Sequence, residues 1–239
     1  MKIHCLVHLE FETLGNIKEW ACNNGHSISV TMPYMNSNYP HPDEFDLLVI
    51  MGGLMSVYQE DEYPWLIEEK EFVKNVIESG KSVYGICFGA QMLSEILGGQ
   101  VSQNMYREIG WHIIQTLDAF REDDSLFNMP PELTVFQWHG DTFTLPKGAR
   151  RLFESEACPE QGFIYRDNVL AVQFHPETDE SCVDSLVTEC ASDLVKGRYI
   201  QSEQEIRGRD DLLASSSDLM FTILDWFEEN IKAKASNDA

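Results

Sequence analysis

Residues 2–8 (KIHCLVH) and 26–32 (HSISVTM) carry strand-like patterns, and between them Leu14, Ile17, Trp20 and Ala21 recur on one helical face. The chain therefore opens as a β–α–β unit. FDLLVIM at 45–51 is too continuously apolar for a half-exposed strand and too short for a helix, which predicts a parallel strand covered on both faces. Over 63–79 the spacing of Leu66, Ile67, Phe72, Val73, Val76 and Ile77 is helical, and Gly80 supplies a stop. KSVYGI at 81–86 is another short apolar strand. It runs through a glycine-punctuated turn into a second helical pattern (Met92, Leu93, Ile96, Leu97), closed by Gly98 and Gly99.

Beyond residue 100 the pattern shortens to strand candidates at 111–117, 133–137, 162–166 and 169–174, set between Pro, Gly and Asp turns, so the sheet is expected to gain antiparallel strands. The polar stretch 201–211 (QSEQEIRGRDD) reads as solvated loop or helix end. Leu212, Leu219, Met220, Ile223, Leu224, Phe227 and Ile231 then mark a helix over about 211–232, and the tail KAKASNDA is expected to fray. With no internal repeat or low-complexity linker, residues 1–239 read as one domain with a core over about 2–195. The fold class expected is α/β: a mostly parallel, mixed sheet sandwiched by helices.

Charge narrows the partners. Lys and Arg total 17 against 40 Asp and Glu, a formal net charge of −23, which would repel a nucleic acid. No apolar run approaches the length of a membrane span, and the first residues lack the apolar core of a secretory signal, so a cytoplasmic protein is expected. Six cysteines are scattered without a C-x-x-C pair, and the histidines show no ligand spacing. No metal is expected.

One cysteine stands apart. SVYGICFGAQML places Cys87 after a buried strand and before a helix, with Gly85 and Gly89 two residues to either side. Small residues there allow a strained turn, as in the G-x-S-x-G nucleophile elbow. The sulfur would face a helix N-terminus, which favours thiolate, and the Phe88 amide would point toward an oxyanion formed at the attacked carbon. On this spacing alone a packed cysteine in a glycine-rich turn is an equal reading.

VLAVQFHPE ends a predicted strand with His175 and Glu177 two residues apart, able to share one side of an extended chain. A histidine before proline is also ordinary loop chemistry. Paired with Cys87, however, His175 suits the role of base and acid, and Glu177 that of fixing its tautomer. His139 has no Glu beside it in sequence, which leaves His175 as the base.

GICFGAQ at 85–91 followed by FHPE at 174–177 resembles the class I glutamine amidotransferases, and within them stand-alone relatives of the glutaminase domain of GMP synthetase. The likeness runs over about residues 2–195 and implies a flavodoxin-like fold. MGGLMSVY at 51–58 resembles the family's G-G-P-x-S loop, with Leu54 where proline is usual; it implies Gly52 or Gly53 as the second oxyanion donor and Ser56 as a pocket residue. The same likeness carries glutamine contact to Gln91. QWHGD at 137–141 resembles the family's S-H-G-D segment and implies Asp141 for the substrate ammonium, with Trp138 and Gly140 as pocket wall. An Asp after Gly is equally a turn former.

The resemblance implies hydrolysis of a γ-glutamyl amide through a thioester on Cys87, with glutamine or another γ-glutamyl compound as substrate and no cofactor needed. The ammonia would pass to a separate synthase subunit. Two alternatives stay open: a free-standing γ-glutamyl hydrolase using the same triad, and a non-catalytic binding protein that keeps the fold. An unrelated cysteine protease is a more distant reading.

Overall fold

The computed structural model describes residues 1–117, 120 and 126–237. Strands β1 (Lys2–Leu6), β2 (Ser27–Thr31), β3 (Leu47–Ile50) and β4 (Ser82–Ile86) alternate with helices α1 (Gly15–Asn23), α2 (Trp65–Glu78) and α3 (Phe88–Ile96). A strand-rich half follows: β5 (Val101–Thr116), β6 (Glu132–Phe143), β7 (Ala149–Ser155), β8 (Gly162–Tyr165) and β9 (Val169–Val172). Helices α4 (Glu180–Glu189), α5 (Glu203–Ile206) and α6 (Asp210–Asn237) complete it.

Among the described residues, nine strands form one sheet in the order β2-β1-β3-β4-β9-β8-β7-β5-β6. The first five pair in parallel, and β9-β8, β8-β7, β7-β5 and β5-β6 pair antiparallel. The fold is thus the mixed α/β sheet expected, and its β2-β1-β3-β4 order is that of flavodoxin-like sheets.

Why β3 reads as an unbroken apolar run is visible in its packing. Leu47 and Val49 face one layer with Ile17 and Trp20 of α1 and Met220, Ile223, Leu224 and Phe227 of α6; Leu48 and Ile50 face the other with Leu66, Val73 and Ile77 of α2 and Leu93 of α3. Both faces are dry, so no polar position survives the alternation. A third cluster joins Ile109, Trp111, Phe136 and Trp138 of the β5–β6 hairpin to Val183 and Val187 of α4 and Ile206 of α5.

Five elements differ from the pattern read along the chain. Strand β5 begins ten residues before the predicted strand, because its first part shifts register between Gln103 and Glu108 and exposes much of its surface. The 7-residue β7 and the 10-residue α4 carry too few apolar positions to announce themselves. Within the polar stretch, α5 buries Ile206, whose carbonyl accepts the Trp111 indole N–H at 3.0 Å. Helix α6 runs on into the tail expected to fray, of which residues 238 and 239 lie outside the described residues. Among the described residues no helix is long and apolar enough to cross a membrane.

Candidate active site

The carboxyl ends of β1, β3, β4 and β9 lie side by side, and each is followed within three residues by a residue of interest: His8, Gly52 and Gly53, Cys87, and His175. Adjacent parallel strands thereby gather segments that are far apart in sequence, at the edge where such sheets bind ligands.

Cys87 caps α3 with φ 51° and ψ −106°, a left-handed conformation rare for a residue with a side chain. Its N–H donates to the Val172 carbonyl at 2.8 Å, tying the turn to the end of β9, and its sulfur lies 3.8 Å from the Trp138 carbonyl. Phe88 is the first helical residue, so its N–H has no acceptor within the helix.

His175 and Glu177 follow β9 and are both buried. His175 Nδ1 donates to Glu177 Oε1 at 2.7 Å, and the His175 N–H donates to the Phe136 carbonyl at 2.9 Å. That leaves Nε2 buried without a partner among the described residues. Burial works against charge on His175, but the Glu177 carboxylate and the Cys87 sulfur outweigh it and hold the imidazole well above its ordinary range. Cys87, His175 and Glu177 line one apolar recess with Leu9, Phe11 and Leu186.

The His-Pro-Glu turn is held from below by residues that sequence reading missed. The Asn16 side chain donates to the Pro176 and Thr178 carbonyls at 3.2 and 2.9 Å, and its N–H donates to the Glu177 carbonyl at 2.8 Å. Gly15, at φ +43°, makes room: a Cβ there would sit 2.0 Å from the Glu177 carbonyl oxygen. A Gly-Asn pair opening a helix was visible, but nothing in it pointed to a turn some 160 positions away.

On the other side of Cys87 a larger cavity is lined by Gly53, Ser56, Gln91, Trp138, Gly140 and Asp141, the pocket residues named from the sequence. Ser56 Oγ and the Tyr58 hydroxyl donate to Asp141 Oδ2 at 2.6 and 3.0 Å, and the Gln91 amide donates to the Asp141 carbonyl at 3.3 Å. Arg107 and Asp193, 3.0 Å apart, also line it and went unnoticed. Gly140 lies under Arg107, whose Nε a Cβ at that position would approach to 3.2 Å.

His139 does have a carboxylate, contrary to the expectation from its neighbours in sequence. Strand pairing brings Glu108 opposite it, with Nε2 3.0 Å from Oε2. Cys158 completes a buried group whose ligand-type atoms lie within 4.8 Å of one another. Its donor set suits a metal poorly. Glu108 already accepts from Ser155 and Gln161, and burial pushes the Cys158 thiol up to about 11, whereas a metal needs thiolate. Nor does Cys158 sit at a strand-to-helix turn.

A cysteine at a positive-φ elbow and a His–Glu pair thus share one recess at the carboxyl edge of a sheet with flavodoxin-like strand order. The family model described as glutamine amidotransferase class-I matches residues 10–189, and the chain belongs to that family. Over 214 residues, 87% of this chain and 90% of the relative, it is 33% identical to the glutamine amidotransferase-like protein YfeJ of Salmonella typhimurium. Over 151 residues it is 34% identical to the glutamine-hydrolyzing GMP synthase of Bacillus cytotoxicus, covering 62% of this chain but 26% of that longer one. The crystal structure of a glutamine amidotransferase from Thermotoga maritima superposes with a TM-score of 0.84 at 29% identity, covering 95% of this chain and 97% of that one.

Proposed function

We propose that the chain hydrolyses a γ-glutamyl amide, glutamine in the first instance, through a thioester on Cys87. The observation that carries this reading is the buried His175 Nε2, left unpartnered while Glu177 fixes the other ring nitrogen, in the same recess as a cysteine held at a strained elbow.

The Cys87 thiolate attacks the side-chain carbonyl carbon and forms the C–S bond, while the oxygen takes the negative charge under the Phe88 and Gly53 N–H groups. His175, kept protonated by Glu177, gives its Nε2 proton to the nitrogen as the C–N bond breaks, and ammonia leaves. Water then attacks the thioester and yields its proton to Nε2. The C–S bond breaks, glutamate departs and the thiolate returns. One water is consumed for each ammonia and glutamate released.

The larger cavity supports an amino-acid headgroup. Asp141 and Asp193 offer negative charge for an α-ammonium, and Arg107 offers positive charge for an α-carboxylate. Six free thiols suit a reducing compartment such as the cytoplasm. The ammonia would pass to a separate synthase subunit. The second reading is a hydrolase of larger γ-glutamyl conjugates, and the recess lined by Leu9, Phe11, Leu54 and Leu186 beside His175 supports it, since a leaving amine with an apolar body would rest there.

The deciding experiment measures ammonia and glutamate release from glutamine and from a γ-glutamyl peptide with wild type and Cys87→Ala. Wild-type turnover that the variant lacks is the expected result, and the better substrate separates the two readings. Equal activity in both proteins, or capture of a glutamine-analogue electrophile at a residue other than Cys87, would overturn the proposal.

A further inference from the structure

Behind the Gly52–Gly53 loop lies a buried pair that the hydrolytic scheme does not use. The side chains of His8 and Glu69 are both 0% exposed, with His8 Nε2 2.8 Å from Glu69 Oε1. The other ring nitrogen, Nδ1, lies 2.6 Å from the Gly52 carbonyl oxygen. A carbonyl only accepts, so Nδ1 carries the proton and donates. The ring is stacked on Trp65 at 5.9 Å and meets the Phe88 ring at 4.8 Å, which restrains it from turning to another partner.

Such a pair is an expensive way to fill space. Desolvating an acid and a base often cancels their attraction, and one Glu69 oxygen has no partner among the described residues. An apolar pair of similar volume would pack the same region without that loss. What an apolar pair lacks is a donor for the Gly52 carbonyl.

That donor fixes a peptide plane. No cis peptide occurs among the described residues, and in a trans peptide the C=O and the following N–H point to opposite sides. Drawing the Gly52 carbonyl onto His8 therefore turns the Gly53 N–H the other way. Gly53 lines both cavities that meet at Cys87, and its N–H has no acceptor among the described residues. A Gly–Gly peptide has little steric preference of its own between the two orientations, so something outside it must choose.

We infer that His8, held by Glu69, is a positioning residue that keeps the Gly52–Gly53 peptide turned so that its N–H meets the oxygen developing on the carbonyl attacked by Cys87. The inference rests on the γ-glutamyl amide reading above. His8 touches neither substrate nor sulfur in this role. It acts through the loop.

Two amide substitutions separate the ring's two bonds. An Asn amide reaches the Nδ1 position and can still donate to Gly52, whereas a Gln amide reaches the Nε2 position and keeps only Glu69. His8→Gln is expected to lower kcat by about 100-fold with KM within about threefold, as when an oxyanion donor is lost. His8→Asn should recover at least about tenfold of that loss. Alkylation of Cys87 by iodoacetamide needs the thiolate but no oxyanion donor, and should proceed at the wild-type rate in both. A crystal structure of His8→Gln should show the Gly52 carbonyl turned away from position 8; His8→Leu serves the same purpose if the Gln variant does not fold. An unturned peptide, a kcat within twofold of wild type, or alkylation falling in step with hydrolysis overturns the inference. If wild type itself cleaves no γ-glutamyl amide, the functional reading fails separately, and the peptide orientation alone decides this one.

Discussion

A Cβ placed on Gly85 would lie 2.7 Å from both the carbonyl carbon and the carbonyl oxygen of Gly89, the glycine on the other side of Cys87. Strand β4 and helix α3 meet closely enough at this turn that neither flanking position has room for a side chain. The left-handed φ of Cys87 follows from that closure, since it is the conformation that lets the chain reverse between two elements packed on the same sheet. A nucleophile there projects from a rigid corner.

Gly89 is the tighter of the two, because its added Cβ would meet the Ile50 carbonyl oxygen of β3 at 2.2 Å. Backbone on both sides leaves nothing flexible to move. Gly89→Ala is expected to destabilise the protein by roughly 3 kcal/mol or more, read as a lowered denaturant midpoint at unchanged slope. A midpoint equal to wild type would show that α3 can slide from the sheet at no cost, and would remove the reason for glycine there.

Glu177 is the partner that raises His175 against the effect of burial. Glu177→Gln keeps the shape and removes the charge. The imidazolium should then lose its proton at lower pH, so the basic limb of the kcat/KM profile for glutamine moves downward, and kcat itself falls by about 100-fold or more as the ring loses its fixed tautomer. A profile whose basic limb does not move would assign that limb to another group and leave Glu177 a merely structural neighbour.

The parts of the site that could be read along the chain are those whose chemistry is local. Cys87 announced itself by two glycines at fixed offsets, and His175 and Glu177 by lying within one strand end. Side-by-side parallel strands then brought them together, as the apolar runs at 45–51 and 81–86 implied. What could not be read is every relationship made by pairing over distance. Glu108 reaches His139 only because β5 and β6 pair Glu108 with His139, and Asn16 holds the carbonyl of Thr178 from 162 positions away in sequence. His8 falls in the strand pattern at 2–8 and Glu69 in the helical pattern at 63–79, and neither pattern shows that both side chains are fully enclosed and paired. Helix α4 escaped notice because only Val183 and Val187 of its ten residues are buried, too few for a periodic signal.

Asp141 is held by Ser56 and Tyr58, which leaves its carboxylate oriented toward the cavity that also contains Arg107. If that carboxylate meets the substrate ammonium, Asp141→Asn should raise KM for glutamine about tenfold or more while kcat changes little, because the headgroup is equally bound before and during the reaction. A fall in kcat at constant KM would instead make Asp141 part of the support for β6 beside Cys87.

Glu12 gives the site a pH dependence of a different kind. Its carboxyl packs over Gly52, and burial, partly offset by His8 and reinforced by Glu177, raises it from 4.5 to about 7. A carboxyl raised on folding makes the native state hold its proton more tightly than the unfolded chain. Its favourable contribution is therefore complete below pH 4.5 and is lost as pH rises through about 7. Glu12→Gln should then match wild type in stability at acid pH and exceed it above pH 7, by on the order of 1 kcal/mol after allowing for the partial exposure of the residue. Urea unfolding of both proteins between pH 5 and pH 8 reads this directly. Parallel stability curves across that range would mean that water or His8 already satisfies the ionised carboxylate, and that charge on Glu12 costs the fold nothing.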